Sequence, residues 1–343
     1  EVKRVLQGSG GAIPIEQYRE FIPLEKSFTS IEEMKKWAAQ ILNGKILVGV
    51  DGSQIYTSSD FNIPVGFVQA AAFWIKYGRE GSQYDYDFLS QAYIGTEAIE
   101  NKEGEPLNRM SIDQRRLSME IELASKIIRE HAGRGEKVFL MMDTPIVLRY
   151  LIWAEDSVKE AMCKNMVKLL DFCEETQTIL LGYTDFSLAR DITLTLKKIS
   201  GIEDEVKVSD ISIVGPPLAR GGFGSRTPAF KIQHNLLKDF YGRHSDKIGF
   251  FYQKVHSDLP VRVEFPLWVH SEGMIDEVSR VVAAQTVLGD GYPYVLLRAH
   301  EIAILDGEDR ERFYDLVTWF LREECGMLFR ETAKAERKRI SVL

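Results

Sequence analysis

The fold is decided by the sequence KILVGVDGS at residues 45–53. Its aliphatic first part, which ends at Val50, predicts a short central β-strand buried in a sheet. Asp51, Gly52 and Ser53 follow directly and predict a polar turn that ends this strand. A carboxylate at the end of a buried strand is costly to desolvate unless a metal ion or another cation compensates its charge. Asp51 is therefore either a metal ligand or an ordinary turn former, and the sequence leaves both interpretations open.

A second acid has the same position relative to a second strand. The apolar run at residues 138–142 predicts another buried strand, and Asp143 follows it directly. An aspartate before Thr-Pro is also a common strand terminator, so a turn role stays open here as well. Two acids in one sheet nevertheless favour a shared cation site, because neighbouring strands that end at one edge bring their carboxylates together.

A predicted helix at residues 111–131 supplies a third acid. Apolar residues recur along it at helical spacing and define a buried face. At about 100° per residue, Glu120 falls on the side of that face and Glu122 falls toward solvent. The alternative for Glu120 is a buried ion pair with Arg116, four residues earlier.

These three acids suit a site for hard divalent cations. Mn²⁺ and Mg²⁺ prefer oxygen ligands, and a few carboxylates with water complete such a site. Two ions about 4 Å apart clamp the attacking and leaving oxygens of a phosphoryl displacement. Asp51, Glu120 and Asp143 therefore predict a site for one or two ions. Bound cations would also let an acidic pocket accept phosphate, although the chain has a net charge of −8.

Two side chains near the C-terminus are weaker candidates. His300 lies four residues after Leu296 and four before Ile304, which places it on the apolar side of a helix predicted at residues 293–305. A histidine there is more often a satisfied core residue than a ligand. His300 is a candidate metal ligand or proton shuttle, and Tyr292 a candidate base-stacking or phosphate-contacting phenol.

Composition sets the outer limits on the class of protein. The chain has 343 residues, 45% of them hydrophobic and 27% charged, which is too apolar for a disordered chain. No apolar run approaches the roughly 18 residues that a membrane span needs, and no signal-peptide core is present. Three cysteines without a CxxC pair favour a reducing, cytoplasmic setting and argue against a cysteine zinc site.

The order of the predicted elements indicates an α/β fold with one sheet covered by helices. Residues 1–44 form an N-terminal segment with an amphipathic helix at residues 29–42, in which Ser30 is the cap and Glu33 its reciprocal partner. The remaining predicted strands lie at residues 65–77, 88–94, 178–183, 248–255 and 261–269, and the remaining helices at residues 145–173, 187–199, 272–288 and 309–329.

Several common catalytic motifs are absent from the sequence. The glycine-rich stretches at residues 8–11 and 221–225 do not follow the GxxxxGK[ST] pattern of a nucleotide-binding loop. HExxH and GxSxG are also absent. An ATPase and a serine hydrolase are therefore excluded.

The motifs together resemble those of the NurA nuclease family, over about residues 45–305. Each motif is short, and their common order and spacing carry the resemblance. They are VGVDGS at residues 48–53, Arg116-x-x-x-Glu120-x-x-x-Ala124, the apolar strand that ends in Asp143, GSRTPAF at residues 224–230, GFFY at 249–252, RVEFP at 262–266 and Gly291-Tyr292-(x)7-His300-Glu301.

The resemblance implies an RNase H-like core at residues 45–329, followed by a basic tail at residues 330–343. It further implies a homodimer that degrades DNA in a manganese-dependent reaction, acting on single strands and from the 5′ ends of duplexes. The implied partner is the hexameric ATPase HerA, in resection of DNA breaks. The family's acid triad falls on Asp51, Glu120 and Asp143, and its later tyrosine and histidine fall on Tyr292 and His300.

The nuclease hypothesis also needs side chains that contact DNA. Arg226 and Arg262 are candidates for backbone phosphate contacts, and Phe223 and Tyr292 for base stacking. The alternative is structural: Arg226 anchors its glycine-rich loop, and Arg262 pairs in the sheet near Glu264. The segment GYTD at residues 182–185 lacks the basic residue that many family members carry there.

A second class of function remains open from the sequence. A catalytically weak, dimeric DNA-clamping adaptor that regulates the ATPase would also explain the acidic charge and the N-terminal segment as a partner contact. Three inward-facing acids and the later histidine favour the nuclease instead. The basic tail, with a local charge of about +3, is either a solvated helix end or a nucleic-acid contact.

Overall fold

The computed structural model describes residues 10–24, 26–57, 61–95, 109–132, 136–202, 207–256, 259–330 and 332. Two 3₁₀ helices, Arg149–Trp153 and Gly242–His244, accompany the main elements. The strands are β1 (Gly11–Pro14), β2 (Lys45–Ile55), β3 (Val65–Lys76), β4 (Gln83–Ile94), β5 (Lys137–Met142), β6 (Ile179–Thr184), β7 (Phe230–Gln233), β8 (Ile248–Gln253) and β9 (Val261–Pro266). The α-helices are α1 (Ile31–Leu42), α2 (Arg109–His131), α3 (Asp156–Glu175), α4 (Asp191–Ile199), α5 (Asp210–Gly221), α6 (Asn235–Phe240), α7 (Trp268–Ser271), α8 (Ile275–Leu288), α9 (Tyr294–Ala303) and α10 (Gly307–Glu323).

The strands of the described residues form one mixed sheet in the order β1-β7-β8-β9-β6-β5-β2-β3-β4. β2, β5 and β6 run parallel, and β3 and β4 add antiparallel strands to the other side of β2. The chain crosses from β4 to β5 through α2. This five-stranded part is an RNase H-like core, and the β8–β9 hairpin with β7 and β1 extends its sheet beyond β6. The predicted fold class is confirmed.

β2 is longer than the sequence predicts. The polar turn expected at Asp51–Ser53 does not form, and the strand continues to Ile55. Its parallel pairing with β5 stops at Val50 and Met142, but its antiparallel pairing with β3 continues to Ile55 and Phe67. Because β3 supplies backbone partners throughout, the polar residues stay in the ladder. Asp51 thus lies inside a strand, one residue past the end of the parallel pairing.

The long helical region expected at residues 145–173 is divided in the structure and begins later than predicted. A 3₁₀ helix, Arg149–Trp153, is followed after a break by α3. The backbone N–H of Val147 donates to the Glu264 carboxylate at 2.9 Å, and that of Leu148 donates to the Tyr241 hydroxyl at 3.2 Å. These two backbone donors bond to distant side chains and not to carbonyl groups of a helix. The residues between Asp143 and Arg149 are therefore not helical.

Two C-terminal helices are shorter than predicted because glycines with left-handed backbones interrupt them. α8 begins at Ile275, after Gly273 at φ +70°, and α10 ends at Glu323, before Gly326 at φ +64°. This region of φ strongly favours glycine and is a common helix terminator. Residue 331 and residues 333–343 of the predicted basic tail lie outside the described residues.

The described part of the N-terminal segment, residues 10–24 and 26–44, packs into the same body as the core. β1 pairs with β7 and thereby forms one edge of the sheet. α1 is confirmed, with the Ser30 hydroxyl accepting from the Glu33 N–H at 3.2 Å, and its Trp37, Ala38 and Leu42 side chains join the hydrophobic cluster that contains α8 and α9. The Glu33 carboxylate bonds the Thr29 N–H instead of the expected Ser30 N–H.

Hydrophobic side chains fill both faces of the sheet. One cluster packs α2 and α3 against one face, and a second packs α1, α8 and α9 against the other. Within the described part of the chain, no helix is both long and apolar enough to cross a bilayer.

Candidate metal and nucleic-acid site

Asp51 faces α9. Its side chain is 14% exposed, and its Oδ2 lies 2.7 Å from Nδ1 of His300. Its Oδ1 accepts a hydrogen bond of 2.7 Å from the backbone N–H of Gly52. The carboxylate therefore contacts both the neighbouring backbone N–H of Gly52 and the side chain of His300, which is far away in sequence.

Glu120 approaches β2 from the opposite face, on α2. Its side chain is buried, and its Oε1 lies 2.5 Å from Nη1 of Arg116. A Cβ added to Gly52 would lie 2.6 Å from that same oxygen. Successive residues of a strand face opposite sides, so the missing side chain of Gly52 gives Glu120 room beside Asp51. Glu122 is exposed, which confirms the predicted helix phase.

The protein environment disfavours the charged form of Glu120. Burial raises the pKa of Glu120 to about 7; Arg116 opposes this shift, and the nearby carboxylates of Asp51 and Asp143 add to it. The acids thus lie within electrostatic reach of one another. A bound cation would relieve the repulsion between these neighbouring carboxylates near neutral pH.

Asp143 follows β5 at the same edge of the sheet. Its side chain is open to solvent, yet the surrounding protein raises the pKa of Asp143 to about 6, with Asp51 and Asp185 adding to the shift. The Tyr292 hydroxyl donates a hydrogen bond to Asp143, and burial raises the pKa of Tyr292 far above its ordinary value. Tyr292 is therefore a protonated donor that orients Asp143.

His300 is not a core residue. Its side chain is 56% exposed, which contradicts its predicted place on an apolar helix face. α9 ends at Ala303, and Ile304 beyond it is exposed, so the spacing from Leu296 to Ile304 does not mark a buried stripe. His300 instead turns toward Asp51 at the rim of the site.

The donor set fits a hard divalent cation, but the side chains do not yet converge on one point. Three carboxylates, a phenol and an imidazole are the oxygen and nitrogen ligands that Mn²⁺ accepts. Among the described residues, no three aspartate, glutamate, histidine or cysteine side chains are arranged to hold an ion as they stand. Each acid has its own partner instead: Arg116 for Glu120, His300 for Asp51 and Tyr292 for Asp143. Metal ligation therefore requires these pairs to rearrange.

The raised pKa of Glu120 predicts a pH dependence of stability. The ordinary pKa of Glu120 is 4.5, and its pKa in the folded protein is about 7. Protonation of Glu120 therefore stabilises the folded protein fully below about pH 4.5, and this stabilisation is lost as the pH rises through about 7. In chelator, the free energy of unfolding should fall by on the order of 2 kcal/mol between about pH 5 and pH 8 relative to Glu120→Gln. The measurement is urea unfolding across pH. Glu122→Gln should keep the wild-type dependence, and parallel curves for wild type and Glu120→Gln would refute this assignment.

Arg226 is not available to a phosphate. Its side chain is 2% exposed, and its guanidinium forms a bidentate pair with Glu16 at 2.6 and 3.0 Å. Its Nη2 also lies 2.6 Å from Asp276 at the start of α8. The predicted phosphate contact is therefore contradicted. Arg226 ties its glycine-rich loop and the N-terminal segment to α8, as the structural alternative expects.

Arg262 is likewise buried. Its guanidinium lies 3.0 Å from Glu264 and 2.9 Å from Asp191, and it stacks over the Phe250 ring. A side chain 1% exposed between two carboxylates cannot reach DNA without dismantling the core. The phosphate contact predicted for Arg262 is contradicted too, and the pairing near Glu264 is confirmed.

The two predicted stacking residues are partly covered. The Phe223 ring packs on Phe28 with centroids 6.1 Å apart, and the Tyr292 ring packs edge-on against Tyr183 at 5.4 Å. Their stacking role stays a prediction. Tyr292 is the one of the pair that touches the acid site.

Sequence reasoning missed Asp185 as a member of the site. It follows β6 by one residue, as Asp143 follows β5, and its charge acts on Asp143. The His256 ring nitrogen lies 3.2 Å from its carboxylate. The available signal was the one used for Asp143, an acid directly after an apolar strand.

The comparison with family models decides the family. The model described as NurA domain matches residues 45–304, which include all three acids, Tyr292 and His300. The chain belongs to the NurA family. The match begins where the nuclease domain was predicted to begin, and it covers the five strands β2 to β6 of the RNase H-like part of the sheet.

Other comparisons place this NurA-family chain among distant structures. A crystal structure of NurA bound to dAMP and manganese is 12% identical, with a TM-score of 0.43, and the alignment covers 87% of this chain and 90% of that one. A Ciona intestinalis endonuclease V, in complex with a 24mer DNA containing an inosine followed by a ribo-adenosine, is 8% identical, with a TM-score of 0.37, and coverage is 83% and 96%. No curated protein matches the chain.

Proposed function

We propose that this NurA-family protein is a Mn²⁺-dependent deoxyribonuclease, with Mg²⁺ as an alternative ion, whose site is built from Asp51, Glu120 and Asp143. The observation that carries the proposal is the gathering of these acids at one edge of the RNase H-like sheet. There desolvation by the surrounding protein and repulsion between neighbouring carboxylates raise the pKa of Glu120 to about 7 and that of Asp143 to about 6. Such perturbed acids in one place are typical of functional sites.

One or two bound ions would supply the positive charge that stabilises the attacking and leaving oxygens of phosphodiester hydrolysis. Tyr292 donates to Asp143 and keeps that carboxylate oriented. His300 shares a hydrogen bond with Asp51 through Nδ1 and, at the exposed rim, is placed to hold or move a proton. Arg116 forms an ion pair with Glu120, and Glu120 would have to leave this pair to hold an ion.

We infer the wider role from family membership. The substrate is DNA, cut within single strands and from the 5′ ends of duplexes, and the biological setting is cytoplasmic DNA end resection and double-strand break repair. A homodimer would act with a HerA-type hexameric ATPase, which fits a chain that lacks a nucleotide-binding loop of its own. Residues 1–44 are the segment proposed for contact with the dimer partner or the ATPase, and the basic tail at residues 330–343 is proposed to contact nucleic acid.

The test is cleavage of labelled single-stranded DNA by the purified protein. We expect degradation with Mn²⁺, weaker degradation with Mg²⁺ and complete loss in chelator, with activity returning when Mn²⁺ is added back. An inert wild-type protein, with and without the ATPase, would instead favour the DNA-clamping adaptor. Parallel assays on RNA would define the substrate class.

A further inference from the structure

The 3₁₀ helix Arg149–Trp153 is anchored firmly on its inner side. Arg149 lies 3.0 Å from Asp191 and 3.1 Å from Glu264, and Leu151 is fully buried. The outer side presents Tyr150, Ile152 and Trp153 to solvent. Side chains on such a rigid element are displayed in a fixed place rather than by a mobile loop.

Trp153 is the most exposed large apolar side chain of the described residues. It is 91% exposed, compared with 54% for Trp319 on α10. Tryptophan is the largest apolar side chain and is strongly buried on average. Exposed aromatic side chains on an anchored element indicate a surface that binds something.

Trp153 is linked to the acid site through Tyr150. The Tyr150 phenol lies within electrostatic reach of Arg116 and Glu120. In a 3₁₀ helix, residues i and i+3 eclipse, so Trp153 lies on the same side as Tyr150 and about 6 Å farther along the axis. A ligand that contacts the exposed part of Tyr150 would therefore reach the Trp153 ring next.

A second exposed aromatic group follows β6 at this edge of the sheet. Phe186 is 58% exposed and comes directly after Asp185, whose charge acts on Asp143. The neighbouring Ser187 is buried and holds this segment against the protein. β5 and β6 are parallel, so the segments that carry Trp153 and Phe186 both leave the sheet at the edge where the acids lie.

We propose that Trp153 and Phe186 are base-stacking residues that position single-stranded DNA across the acid site. The inference rests on the proposed nuclease function. Every base has a flat π surface, and stacking on aromatic side chains binds unpaired bases with little sequence preference. Bases paired in a duplex are already stacked and cannot be gripped in this way, which gives the site a preference for single strands. Both side chains act by positioning and take no part in the chemical step.

Binding is measured with the Asp143→Asn protein, which leaves the oligonucleotide uncut. Fluorescence anisotropy compares labelled oligo(dT) with an oligomer of the same length made of abasic sites. Trp153→Ala or Phe186→Ala in this background should weaken oligo(dT) binding about tenfold, as expected for one lost stacking contact. Neither should change binding of the abasic oligomer, and Trp153→Phe should largely restore oligo(dT) affinity. Trp319→Ala is the matched control and should bind like the parent protein.

Cleavage kinetics and oligomeric state complete the experiment. In the otherwise wild-type protein, Trp153→Ala should raise KM about tenfold and leave kcat within about twofold, because it removes binding and not chemistry. The inference would be overturned if the variants bound oligo(dT) with unchanged affinity, or if they lost as much affinity for the abasic oligomer. A change of oligomeric state in light scattering would also overturn it, because it would assign Trp153 to a protein interface. If the wild-type protein cuts DNA and only the stacking variants are neutral, the stacking proposal alone fails. If the wild-type protein neither binds nor cuts DNA, the proposed function fails as well.

Discussion

Asp143→Asn should abolish Mn²⁺-dependent cleavage of single-stranded DNA, with a loss of at least about a thousandfold, since a bound ion is worth several kcal/mol of transition-state stabilisation. The substitution removes a negative charge and leaves the size of the side chain almost unchanged. It leaves the Tyr292 hydroxyl a carbonyl oxygen to which it can donate. Asp51→Asn should have an equally large effect, because it weakens both the cation site and the hydrogen bond to His300. Single-turnover assays with Mn²⁺ measure both.

Stability separates a lost site from a lost fold in these variants. Because the protein raises the pKa of Asp143 to about 6, its charge is unfavourable near neutral pH, and Asp143→Asn should unfold no earlier than the wild type in chelator. Asp156→Asn is the matched control, since Asp156 is an exposed aspartate on α3 whose ion pair with Lys159 is at the surface. Full activity in a folded Asp143→Asn protein would remove Asp143 from the site.

Glu120→Gln and Glu122→Gln should differ sharply although the two residues are neighbours on one helix. Glu120 is buried against Arg116 and Gly52, whereas Glu122 is exposed. Removing the Glu120 charge should reduce metal-dependent turnover by at least about a hundredfold, because the ion loses a carboxylate and Arg116 loses its partner. Glu122→Gln should keep nearly wild-type turnover.

Manganese affinity gives this pair of variants a second readout. Glu120→Gln should bind Mn²⁺ more weakly by calorimetry, and Glu122→Gln should bind it as the wild type does. Equal turnover and equal affinity for the two variants would show that the buried face of α2 does not contribute to the site. A loss of turnover in Glu120→Gln with unchanged Mn²⁺ affinity would make Glu120 a structural partner of Arg116 instead.

The places of the three acids in the fold were predictable because their signals are local. An acid directly after an apolar run marks Asp51 and Asp143, and helical phase separates Glu120 from Glu122. The same rule applies to Asp185, because this acid directly follows the apolar strand β6. It was nevertheless not predicted as a site residue. The extension of β2 past Asp51 was not predictable, because it depends on pairing with β3 rather than on the strand's own residues.

The arginines show where sequence reasoning stops. Nothing near Arg226 indicates Glu16 or Asp276, which come from the N-terminal segment and from α8. Arg262 is held by Glu264, two residues away, but also by Asp191 on a different element. Their motifs resemble those of a DNA-binding family, yet burial decides what a guanidinium can reach. The apolar helix face predicted for His300 was wrong for a related reason. The spacing of apolar residues does not show that α9 ends at Ala303.

Anomalous diffraction from a crystal soaked in Mn²⁺ tests the central claim most directly. We predict a manganese peak at the sheet edge with oxygen ligands from Asp51 and Asp143, and with Glu120 turned from Arg116 toward the ion. A peak elsewhere in the molecule, or no peak at this edge while Glu120 stays paired with Arg116, would contradict the assignment of this site as a metal centre.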